Sequence, residues 1–67
     1  MNEWDQYRLI LAIHRVGTIR GAAEQLGVNH ATVSRRLAQI ERGFDSPVFN
    51  KVTGGYRASE LGLELVA

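Results

Sequence analysis

The sequence predicts a mainly α-helical domain with one small β-hairpin. Three observations predict it. Gly17 and Gly27 divide the first part of the chain into helix-length blocks, and Thr18 and Asn29, two good helix starters, follow them. Val33, Leu37, Ile40 and Phe44 then recur at spacings of four, three and four, one apolar stripe on a helix. After Pro47, "VFNKVTGGYRA" reads as strand, Gly-Gly turn and return strand.

Each element follows in order. The first helix is expected from about Glu3 to Val16, with Glu3 and Asp5 where the helix dipole favours acids and Gly17 as C-cap. Its apolar residues fall on two sides, Trp4 and Leu11 on one and Leu9, Ile13 and Val16 on the other, so it needs two partners. Thr18 caps a short second helix through Leu26, and Gly27 ends it. In this block the pair Ala22 and Ala23 lets two helices approach closely. "GVN" is the turn, and Asn29 caps a third helix from His30 to about Phe44. Two helices joined by three residues containing a glycine match a helix–turn–helix. The stripe ending at Phe44 is the core face, and Arg35 lies opposite, among Ala31, Thr32, Ala38 and Gln39. Pro47 stops this helix, a hairpin occupies about 48–58, and Ser59 caps a last helix, "ELGLELVA". The order is the winged form of a helix–turn–helix, with the domain at residues 1–58 and the start of a further helix at 59–67.

Composition narrows the function. Sixty-seven residues make one small domain with little surface to spare for a substrate cavity. The absence of cysteine removes disulfides and thiol chemistry. His14 and His30 lie sixteen residues apart on different elements, with no clustered carboxylate to orient them. No catalytic residue, metal site or cofactor is expected, and the domain is read as a non-enzyme. The longest apolar run, Leu9 to Ile13, cannot span a bilayer, and the first residues lack signal-peptide character. A small cysteine-free domain is expected in the cytoplasm.

Net charge is only +1, but Arg20, Arg35, Arg36 and Arg42 stand together in the middle of the chain. Arginine reaches the O6 and N7 of guanine with two hydrogen bonds, and small residues around Arg35 let a groove come close. Arg35 is therefore assigned to a base. Arg36 is assigned to a phosphate or to an acid of its own chain. Lys51 and Arg57, near the hairpin tip, are placed to reach the flanking backbone. A helix–turn–helix that docks a protein rather than DNA is the competing reading, kept by the low net charge. Salt-dependent binding to random duplex separates the two.

"GTIRGAAEQLGVNHATVSRRLAQIE", "FDSPVFNK" and "GYRASELG", in that order, resemble the N-terminal DNA-binding domain of LysR-type transcriptional regulators. The other alternative is a winged-helix regulator of a different family. The resemblance implies sequence-specific double-stranded DNA binding in transcriptional regulation, with the third helix in the major groove and the wing on the flanking backbone. It implies base reading by His30, Ala31, Thr32 and Arg35, and phosphate contacts by Thr18, Ser34 and Lys51. It also implies a bacterial, nucleoid-associated protein that dimerises through a linker helix beginning at "ELGLELVA". A small-molecule effector would act only through a C-terminal domain missing here, so this chain is expected to be an excised domain or a truncated product. Four departures stand out. Asp45 replaces a usual glycine, which predicts a different turn into the wing. Lys51 replaces a usual arginine and loses its bidentate fork. His30 and Ala31 stand where glutamine and proline are common, so base preference is not inherited. Arg20 replaces a small polar residue and adds a candidate phosphate contact.

Overall fold

Local capping chemistry sets the helix boundaries in the computed structural model, which describes residues 2–67. Helix α1 spans Glu3–Val16, and the Asn2 side chain accepts from the Asp5 amide at 2.8 Å to start it. Gly17 closes it in the left-handed conformation, φ 87°. Helix α2 spans Ile19–Leu26, capped by Thr18, whose hydroxyl oxygen accepts from the Gly21 amide at 3.1 Å. Helix α3 spans His30–Phe44, capped by Asn29. These boundaries match the expected ones.

The hydrophobic core joins α1 and α3 to the start of the hairpin. Leu9, Ile10, Ile13, Val33 and Val48 are its most deeply buried large side chains. Ala22 and Ala23 are buried as well, which lets α2 lie close against its neighbours. The buried face of α1 is Leu9, Ile10, Ala12 and Ile13, which keeps Leu9 and Ile13 of the expected line and leaves out Val16. Val16 stays exposed because it stands in the last turn of α1. Its methyl group occupies the space a side chain at position 21 would need, so it packs on the bare backbone of Gly21.

In α3 the expected stripe is buried at Val33, Leu37 and Ile40, but Phe44 is 42% exposed. The helix ends at Asp45, two residues before Pro47. Asp45 adopts the left-handed conformation, φ 53°, and the amides of Asp45 and Ser46 bond back to carbonyls of α3. An aspartate thus makes a left-handed turn that a glycine makes more easily.

The hairpin pairs β1 (Phe49–Val52) with β2 (Gly55–Ala58) in antiparallel register, Phe49 opposite Ala58 and Val52 opposite Gly55. The turn is therefore Thr53–Gly54, and only Gly54 needs its positive φ of 85°. Gly55 serves another purpose. A Cβ there would strike the Gly17 carbonyl oxygen, which accepts from the Tyr56 amide at 2.8 Å. The wing is so fastened to the α1–α2 turn. Glu41 fastens it to α3: one carboxylate oxygen accepts from the amides of Val48 (2.7 Å) and Phe49 (3.4 Å). Helix α4, Glu60–Val66, starts at Ser59, whose oxygen accepts from the Gly62 amide. Gly62 is buried where any side chain would meet the Val48 carbonyl, so α4 sits directly on the base of the wing. Among the described residues no helix is long and apolar enough to cross a membrane.

Candidate nucleic-acid interface

The amino end of α3 is the focus of the site. Asn29 Oδ1 accepts from both the amide and the hydroxyl of Thr32, at 2.8 and 3.0 Å. This pair of hydrogen bonds holds the first turn. It also spends the Thr32 hydroxyl proton within the protein, so Thr32 offers a partner its methyl group and its oxygen lone pairs.

At about 100° per residue, the positions opposite the buried line of Val33, Leu37 and Ile40 are Ala31, Arg35, Ala38 and Arg42. Ala31 and Arg35 are exposed there, and Thr32 and Gln39 border them. His30 and Ser34, also exposed, lie one turn apart along one flank. The four expected base readers thus share the first half of one helix, with His30 to the side of the Ala31–Arg35 line.

The expected backbone contacts divide. Thr18 is half-buried at the cap of α2, and Arg20 is exposed in the first turn of that helix. Lys51 and Arg57 are both exposed, but the register places them on opposite faces of the ribbon. Lys51 pairs with Tyr56, on the face that carries Phe49, and Arg57 pairs with Asn50 on the other. Arg57 lines a depression with His14 of α1 and Leu63 of α4. Arg36 leaves the face of Arg35 altogether. It is half-buried and lines a cleft with Asp5 and Arg8 of α1, because one residue along a helix turns the side chain by about 100°. That cleft presents both an acid and a base of α1 to Arg36. Arg42 belongs to the basic cluster seen in the sequence, which assigns it no contact of its own. Its signal was present, seven positions beyond Arg35 on the same helical line.

Residues 4–63 match the sequence profile described as bacterial regulatory helix-turn-helix protein, lysR family. The chain belongs to this family. The matched stretch takes in α1 from Trp4 onward, α2, α3, the hairpin and the first part of α4. Similar curated proteins include the Mau operon transcriptional activator of Paracoccus denitrificans, 39% identical over 57 residues, covering 85% of this chain and 20% of that protein. A probable RuBisCO transcriptional regulator of Emiliania huxleyi is 36% identical over 62 residues, 92% of this chain and 20% of that protein. The chain thus spans 20% of the length of these relatives. Among solved structures, a LysR-family regulator of Eggerthella lenta superposes with a TM-score of 0.84 at 25% identity, covering 97% of this chain and 91% of that one. The CbnR DNA-binding domain, solved in a DNA complex, superposes at 0.88 with 18% identity, over 97% of this chain and 75% of that one, a likeness of fold.

Proposed function

We propose that the domain reads DNA with the amino half of α3 in the major groove, Arg35 bonding a guanine edge and His30, Ala31 and Thr32 shaping the fit around it. The observation that carries this reading is the outward line of α3, where Arg35 stands exposed beside the short side chains of Ala31 and Ala38 on a firmly capped helix. Thr18, Arg20, Ser34 and Lys51 hold the flanking phosphates. Arg57, on the other face of the ribbon, reaches a phosphate only where the backbone passes the wing edge. Arg36 belongs to the cleft of its own chain. In this reading the domain does no chemistry and takes no cofactor.

Residues 1–58 form the reading domain, and α4 begins a linker helix through which two copies pair on a two-fold-related site. Leu63, 53% exposed on α4, and Trp4, 65% exposed on α1, supply apolar surface for such contacts. A small-molecule effector acts through a part of the protein beyond this domain. The protein works in the bacterial cytoplasm, on the nucleoid.

Selection of bound sequences from a random duplex pool, on a version extended through the linker helix, tests this reading. Recovery of a two-fold-related motif, with affinity falling steeply as salt rises, is expected. Recovery of no motif, with no binding to any duplex at low salt, overturns it.

A further inference from the structure

We propose that Arg42 is a second nucleic-acid contact on α3, gripping a phosphate of the strand that borders the groove in which Arg35 reads a base. The inference rests on the functional reading above and adds a residue to it. Arg35 and Arg42 lie on one outward line of α3, seven residues apart, which is two helical turns or about 10.5 Å along the axis. Both are exposed, and between them the helix presents Ala38 on one side of that line and Gln39 on the other. The short side chain of Ala38 leaves one side of the line open to a nucleic acid, and the uncharged Gln39 on the other side adds no repulsion to a phosphate.

The major groove is about 12 Å wide. A helix that presents Arg35 to the groove floor carries a residue two turns further on out to the groove wall. The wall is phosphate, and a guanidinium matches phosphate with two parallel hydrogen bonds.

The acids nearby leave Arg42 able to do this. Glu41, its chain neighbour, points away from the outward line and spends its carboxylate on the Val48 amide at 2.7 Å. Asp45 is the remaining acid, and it lines the same open depression as Arg42, with Ser46 and Pro47. A carboxylate there opposes a phosphate, so its removal should strengthen the same contact. The ordinary role of an arginine in a last helical turn is to complement the helix dipole, which predicts an effect on stability and none on DNA.

The test is fluorescence anisotropy of the version extended through the linker helix, on a selected duplex and on a random duplex, over a series of salt concentrations, for Arg42→Gln and Asp45→Asn. Asparagine tolerates the left-handed backbone at position 45, so the cap survives. Arg42→Gln is expected to weaken both duplexes by the same factor, about fivefold, and to lower the salt slope by about one. Asp45→Asn is expected to tighten both, and to do so less when combined with Arg42→Gln. Wild-type affinity and slope in Arg42→Gln would overturn the proposal and leave only the dipole role. An altered sequence preference would overturn it in favour of base reading. A wild-type chain that binds neither duplex would overturn the underlying reading, and the proposal with it.

Discussion

Replacing Glu41 with alanine is expected to unfasten the wing from the recognition helix. The carboxylate oxygen accepts from the Val48 amide at 2.7 Å and more weakly from the Phe49 amide at 3.4 Å. Both residues are buried, at 0% and 6% exposure, so water cannot readily replace the lost acceptor. One buried amide left unpaired costs about 1–3 kcal/mol, and the second, longer contact adds little. A loss of about 2 kcal/mol is large for a domain of 67 residues, whose whole stability is on the order of 3–10 kcal/mol. At roughly 4–8 °C per kcal/mol for a domain of this size, the melting temperature should fall by about 8–16 °C. Glu41→Gln keeps an oxygen acceptor and loses the charge, and a charge-assisted bond is about twice as strong as a neutral one. It should therefore cost about half as much. Thermal unfolding followed by circular dichroism reads both variants. An alanine variant melting within about 2 °C of wild type, or a glutamine variant as damaging as alanine, refutes the reasoning.

Two further stability changes follow from backbone geometry. Gly55→Ala places a methyl group against the Gly17 carbonyl that anchors Tyr56, and should cost about 1–3 kcal/mol by overpacking. Gly43→Ala, in open space inside α3, should instead stabilise by about 0.5–1 kcal/mol, so opposite signs in urea unfolding distinguish a contact effect from a general glycine effect. Asp45→Gly relieves the left-handed backbone at φ 53° and should stabilise by up to about 1 kcal/mol. A lower unfolding midpoint for that variant would show that the aspartate side chain supports the turn.

What the sequence made legible was what short-range chemistry decides. Thr18, Asn29 and Ser59 cap helices by bonding amides three residues on, so residue type and spacing were enough to place three helix starts. The outward position of Arg35 followed from helical period alone. What stayed hidden depends on partners far along the chain. The task of Glu41 is set by the amides of Val48 and Phe49 where the wing begins, seven and eight residues away. The need for Gly55 comes from a carbonyl at position 17, so a Gly-Gly pair read as one turn divides into a turn glycine and a packing glycine. Phe44 and Val16 fit their apolar stripes by period, yet each stands in the last turn of its helix and stays exposed. Arg36 looked like a twin of Arg35 in the sequence, and one helical step sends it to the cleft beside Asp5.

The central claim is that Arg35 reads a base. Selection from a random duplex pool by the wild-type domain and by Arg35→Ala, under identical salt, measures it most directly. The account predicts that the variant loses about 1–3 kcal/mol on the wild-type motif and relaxes preference at one base position per half-site, with the other positions retained. An unchanged motif bound uniformly more weakly would contradict it, leaving Arg35 as a phosphate contact.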